Sequence, residues 1–266
     1  MRLNKSISIL LVAGAALLFS ACQTNQNRDT QKKGEIASTA SSDKNLKEEI
    51  TLSETQITES EEILVENYPS GTLLVAVSQK DRALIENVVK TTSYDLDEKD
   101  AEGNTPLNLA VHANEVEIAK LLIDHQANIN LQNAMEDSPY LYAAAQGKTE
   151  ILAYMLDHAK PDLTVHNRFG GNALIPAAEK GHIENVRLLL SANQEPIDFQ
   201  NNSGYTALIE AVALRDGSKL YQDIIKLLLA NGANQSIRDN SGRTALDYAN
   251  QYGYEEIKEI LMANTY

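Results

Sequence analysis

A single cysteine, Cys22, stands in the 266 residues, so no intramolecular disulfide can form. Long apolar runs are almost as scarce. The longest, ISILLVAGAALLF at residues 7–19, is about 13 residues, and at ~1.5 Å per residue it falls well short of a ~30 Å hydrocarbon core. A spanning helix is therefore not expected. Basic residues are few, 23 against 37 acidic, and an acid surplus repels phosphate backbones and anionic lipid surfaces alike. Catalytic signatures are missing too. There is no GxSxG elbow and no HExxH, and the glycines near residue 232 are not followed by the Lys-Ser or Lys-Thr of a phosphate loop. No enzyme activity, cofactor or metal is expected.

What is present begins with a sharp compositional asymmetry. Residues 1–21 carry Arg2 and Lys5, no acid, the apolar run, and Ser20-Ala21 just before Cys22, the layout of an export signal. LFSAC resembles the lipobox of bacterial lipoproteins, with Phe19 where the common pattern has leucine. The resemblance implies that Cys22 becomes the lipidated first residue, carrying two or three acyl chains. Two or more chains hold a protein firmly, whereas one binds only marginally. Removal of the signal leaves 21 basic against 37 acidic residues, net −16.

Residues 22–66 read as a flexible acidic tether. From residue 23 onward the segment has no aromatic and no proline, so it buries too little apolar surface to offset the entropy of ordering. As a coil it would span on the order of 35 to 40 Å. Its second half, residues 48–66, has seven acids and no base, and a loose helix there is the alternative.

From residue 67 to 266 the chain repeats itself. Matching segments begin GNTPLNLAV at Gly103, EDSPYLYAA at Glu136, GGNALIPAA at Gly170, GYTALIEAV at Gly204 and GRTALDYAN at Gly242, spaced by 33, 34, 34 and 38 residues. The third column, Thr105, Ser138, Asn172, Thr206 and Thr244, consists of residues whose side-chain oxygen can cap a helix. Pro106 and Pro139 follow at the first helical position, where a missing N–H does no harm. The eighth column is alanine throughout: Ala110, Ala143, Ala177, Ala211 and Ala249. So small a side chain lets a neighbouring helix approach closely. Gly147, Gly181 and Gly253 are placed to end the first helix in a left-handed turn. Second helices follow in VEIAKLLI, IENVRLLL, DIIKLLLA and EEIKEILM, apolar at helical spacing. Residues 73–89 match the same pattern without a capped start, as an N-terminal cap would. At the other end Glu255, Glu256, Lys258 and Glu259 fall where solvent would be.

Helix, turn, helix and hairpin-like loop at this period resembles the ankyrin-repeat family, most closely at TPLN from Thr105 and at Gly181-His182. The implied fold is an all-α ankyrin-repeat solenoid of about six helix-turn-helix repeats. In the family a histidine follows TPL. Here Asn108, Leu141, Ile175, Ile209 and Asp247 replace it, so its hydrogen bonds are made otherwise or forgone. Pro176 should cost its helix at most one backbone bond. About five extra residues in LRDGSKLYQD should protrude as a surface feature.

The resemblance also implies that a partner docks on loop tips and first helices. Mapped onto this chain, those positions are Arg168, Phe169, Glu179, Lys180, Tyr205, Leu214, Arg243 and Tyr252, rich in the aromatic and arginine side chains that anchor interfaces. Against this, Phe169 could simply pack on Tyr205. His125 and His158 each follow an aspartate at equivalent positions, which reads either as a metal pair or degenerate hydrolase site, or as histidines favoured by the negative end of a helix. The expectation is a monomeric, non-catalytic protein-binding module, lipid-anchored on the extracytoplasmic face of a bacterial cell envelope. Its alternatives are an immunity-like protein neutralising a basic toxin or secreted enzyme, and a passive spacer.

Overall fold

The computed structural model describes residues 67–264; the expected signal, Cys22 and the tether lie outside the described residues. Within them are twelve helices in six consecutive pairs: α1 (Thr72–Gln79) and α2 (Arg82–Val89), α3 (Pro106–His112) and α4 (Val116–Asp124), α5 (Pro139–Ala145) and α6 (Thr149–His158), α7 (Leu174–Glu179) and α8 (Ile183–Ala192), α9 (Ala207–Ala213) and α10 (Lys219–Ala230), α11 (Ala245–Tyr252) and α12 (Glu255–Ala263). The main helix packing occurs within a pair or between adjacent pairs: α1, α3, α5, α7, α9 and α11 pack in file, and α2, α4, α6, α8, α10 and α12 form a second file behind them. This is an all-α solenoid of six helix-turn-helix repeats. Its core is one continuous strip between the two files.

The alanine column explains how the first file closes up. Ala110, Ala143, Ala177, Ala211 and Ala249 are all 0% exposed. A longer side chain at that point would have to displace a neighbouring backbone, because interiors this dense have no slack.

The capping column behaves as its chemistry demands. Thr105, Ser138, Thr206 and Thr244 accept from the backbone N–H three residues on. Asn172 does the same toward Ile175 at 3.3 Å, but α7 begins only at Leu174. The reason is Pro176, which has no N–H to give the Asn172 carbonyl, so the first helical bond is lost and the helix starts late. Where the family histidine is missing, the outcome depends on the replacement. Asn108 and Asp247 turn back to accept from the N–H and hydroxyl of Thr105 and Thr244, completing a reciprocal cap. Leu141, Ile175 and Ile209 are simply buried.

In the N-terminal repeat α2 is capped by Asp81, but α1 has no capping side chain of its own, and a distant one serves instead. Glu98 accepts from the backbone N–H groups of Gly71, Leu73 and Leu74, and from the Tyr94 hydroxyl. Its buried carboxylate thus takes up the orphan donors of α1 from the following loop.

The insertion lies at the surface as expected, with Leu214, Asp216, Lys219 and Leu220 exposed, but it forms no separate loop. Its extra residues are shared between a five-residue link, 214–218, and a twelve-residue α10. That link is braced on both sides: the Tyr254 hydroxyl donates to the Arg215 carbonyl, Arg215 pairs with Glu179, and the Tyr221 hydroxyl donates to the Glu179 carbonyl. At the far end Glu255, Glu256 and Glu259 are exposed as expected, whereas Lys258 is half-buried and paired with Glu255 at 2.8 Å.

Candidate binding groove

The loops that join repeats are built on a column which sequence reading passed over. In Asp100, Asn133, Asn167, Asn201 and Asp239 one side-chain oxygen accepts from the N–H groups two and four residues ahead. Each such turn closes on itself, which is why Asn and Asp occupy the column. Three of the four neighbouring pairs of turns are then joined by backbone, Ala134 N–H donating to the Glu102 carbonyl, Asn202 to Phe169 and Asn240 to Ser203, and the fourth by the Arg168–Asp137 ion pair. The loop tips therefore stand in a rigid row.

Between that row and the first helices lies a groove of about 390 Å³. Six of the eight expected partner-binding residues line it: Arg168 and Phe169 from one tip, Glu179 and Lys180 from the end of α7, Tyr205 from the next tip and Leu214 after α9. Arg243 and Tyr252 do not line it and stand on the following repeat. There the Arg243 guanidinium lies over the Tyr248 ring at 4.3 Å and Nη1 donates to Gln251, while Tyr252 is tilted against Tyr248 and Tyr254. Phe169 is 60% exposed, and the ring contact it makes is with the Arg168 guanidinium at 4.8 Å. Tyr205 meets Tyr248 edge-on and shares a 3.0 Å hydroxyl contact with it, so its ring interaction is directed away from Phe169.

Sequence reasoning missed the groove's floor. Ile175, Pro176 and Asn201 line it, together with Glu210, which is 5% exposed. Glu210 holds the seventh place of its repeat, where the other copies have Leu109, Tyr142, Pro176 and Tyr248. A lone acid in an otherwise apolar or aromatic column was the available signal. Because the Asn201 oxygen is taken by its own turn, its amide N–H faces Glu210 and donates to Oε1 at 2.9 Å. Oε2 is shielded from water and has no hydrogen-bond partner. Burial, reinforced by the charge of Glu179, pushes the Glu210 carboxyl up to about 7, against the Asn201 bond and the attraction of Arg215. Two of the nearby cations are already engaged, Arg168 with Asp137 at 3.6 Å and Arg215 with Glu179, whereas Lys180 makes no ion pair among the described residues.

The histidine pair behaves differently from a metal site. His125 Nδ1 lies 2.9 Å from the Leu121 carbonyl and His158 Nδ1 lies 3.1 Å from that of Tyr154, each one turn back along its own helix. Asp124 accepts from the Tyr154 hydroxyl, and His158 stacks on the Tyr154 ring at 3.8 Å. Among the described residues no group of three or more His, Cys, Asp or Glu could hold a metal ion.

A family model for ankyrin repeats in three copies matches residues 73–166 and 159–239. This chain belongs to the ankyrin-repeat family. It is 35% identical over 199 residues to the putative ankyrin repeat protein YahD of Escherichia coli K12, covering 75% of this chain and 98% of that one. Among solved structures it is similar to the ankyrin repeat protein EF0377, at 67% identity and a TM-score of 0.72, covering 74% of this chain and 98% of the other. An ankyrin repeat domain from Acinetobacter baumannii AYE is similar at 41% identity and a TM-score of 0.70, with the same coverages. The architecture is the ankyrin-repeat fold, which is typical of protein-binding modules. Its sixth repeat, α11 and α12, lies beyond the residues matched by the family model.

Proposed function

We propose that this protein is a non-catalytic binding module that grips a protein or peptide partner in the groove between its loop tips and first helices. One observation carries the reading: Phe169 and Leu214, exposed large apolar side chains, flank a groove whose tips are locked in place by hydrogen bonds between repeats. Exposed apolar and aromatic surface beside arginine is the composition of an interface. A rigid row of tips also lowers the entropy lost on docking.

The module works outside the cytosol. Its signal at residues 1–21 directs export, Cys22 carries the lipid anchor, and the tether through residue 66 holds the repeats of residues 67–266 away from the membrane; the residue pattern around Cys22 and the composition that follows support this. Among partners, the net charge of −16 favours a basic protein, which also suits a neutralising role toward a basic secreted enzyme.

The test is a comparative capture from envelope extracts with the full chain. A Phe169→Ala, Lys180→Ala, Leu214→Ala triple variant should lose the captured partner, while Arg187→Ala on the exposed side of α8 keeps it. Retention by the triple variant sinks the docking face. Radiolabelled palmitate should mark the wild-type chain and leave Cys22→Ser unmarked.

A further inference from the structure

The buried carboxyl at the floor of the groove serves the fold through one oxygen only, which holds the Asn201 turn. Every equivalent position is filled by an apolar or aromatic side chain, and those repeats stack in the same two files without an acid there. Buried carboxylates are normally satisfied by donors on both oxygens, because an unpaired one keeps the full cost of its lost hydration. Glu210 has Asn201 on one oxygen and no donor on the other. The obvious internal donor is Arg215, five residues along the chain. It pairs instead with Glu179, and its own Nε is buried without a partner. The fold thus leaves an acceptor unfilled beside an open groove.

We propose that Glu210 receives a cationic side chain, an arginine or lysine of the bound partner, whose stem lies along the groove and whose head group pairs with Oε2 by displacing the side chains that shield it in the free protein. This deepens the binding reading above and rests on it. The walls suit such a guest. Ile175, Pro176, Tyr205 and Leu214 offer apolar surface to a methylene stem, and the exposed Phe169 ring offers a π-face to a cation. An anionic guest would meet Glu179 and Glu210, and of the groove's cations Arg168 and Arg215 are already paired with acids, which leaves Lys180 alone to attract it. The acid surplus of the chain draws a cation in the same direction. The carboxyl's raised affinity for a proton, caused mainly by burial, is the expected property of an acceptor awaiting positive charge.

The test uses the full chain with three probes that share a stem length: the N-acetyl, N-methylamide derivatives of arginine, citrulline and norleucine. Binding is followed by NMR at Tyr205, Glu210 and Leu214. At neutral pH the arginine probe should bind at least tenfold more tightly than the other two. Glu210→Gln should bring it down to the norleucine level without changing norleucine binding. Leu214→Lys, at a position 47% exposed, should place a competing ammonium at the mouth and weaken the arginine probe more than the norleucine probe. Equal affinity for arginine and citrulline would mean neutral hydrogen bonding and overturn the proposal. So would undiminished arginine binding in Glu210→Gln, or no arginine binding at tens of millimolar. Partner capture separates the two readings. If Glu210→Gln keeps the partner that the Phe169, Lys180, Leu214 triple variant loses, the groove stands and the cation proposal fails; if both keep it, both fail.

Discussion

Replacing Glu210 by glutamine converts the buried carboxyl into a measurable slope of stability against pH. The folded-state value lies at about 7, against an ordinary 4.5, so the folded protein holds this proton more tightly than the unfolded chain does. For a group raised in this way, the associated stability is fully present below 4.5, declines as pH rises, and is gone above about 7. Each tenfold of proton affinity is about 1.4 kcal/mol, so between pH 5 and pH 8 the wild type should lose roughly 2 to 3 kcal/mol that the glutamine variant does not lose. The comparison is a difference of differences. Any fixed effect of the amide, such as an N–H₂ in place of the unpaired Oε2, cancels between the two pH values. The assay is urea denaturation followed by far-UV circular dichroism, for both proteins at both pH values. Parallel stability curves would refute the reasoning, because they would mean that Glu210 ionises in the fold as readily as in water.

Three further perturbations probe the repeat joints. Gly204 and Gly242 share nearly the same left-handed backbone, φ +78° and +80°, but a Cβ on Gly204 would stand 2.6 Å from the Asn240 nitrogen while one on Gly242 meets nothing within 4 Å. Alanine should cost about 1–2 kcal/mol at either position from backbone strain, and a further ~1–3 kcal/mol at Gly204 alone from the clash between repeats; equal losses in chemical denaturation would contradict the steric account. Glu98→Gln turns a donor toward the Gly71 N–H and should cost about 1.5–3 kcal/mol. Hydrogen exchange should quicken in α1 while α9 to α12 stay protected, and uniform quickening would count against a local cap. Asp239 is held down to about 2: burial alone would raise it, but donors from Ser241, Tyr248 and the Arg243 backbone outweigh that. Its contribution is present above 3.8 and lost as pH falls through about 2. Asp239→Asn should therefore be less stable than wild type at pH 7 and converge with it in strong acid. A constant gap down to pH 2 would rule this out.

What could be read from the chain alone is what each repeat decides locally. The threonine caps, the alanine column and the stop glycines recur every 33 to 38 residues because each helix pair meets the same neighbours on both sides, so one physical demand leaves the same residue in every copy. Even Pro176 announced its single lost bond. The row of Asn and Asp in the loops was equally regular and equally legible, though it stands outside the helical pattern that drew attention first. Of the groove, loop-tip exposure at Arg168 and Phe169 followed from position in the repeat, whereas the lone acid at Glu210 was visible only as a break in its column.

Tertiary structure alone decided everything that crosses repeats without recurring. Glu98 caps a helix that begins 26 residues before it, Arg215 abandons Glu210 for Glu179 on the preceding repeat, and the insertion is pinned by Tyr254 of the repeat after it. The first two have no counterpart in another copy, so no periodicity can point to them; the third repeats the Tyr221 bond to the Glu179 carbonyl one copy earlier, but with a ring whose place in the chain the insertion has shifted. A repeat specifies its own helices and the shape of its faces; which polar atoms on those faces find partners depends on the side chains the next repeat happens to bring.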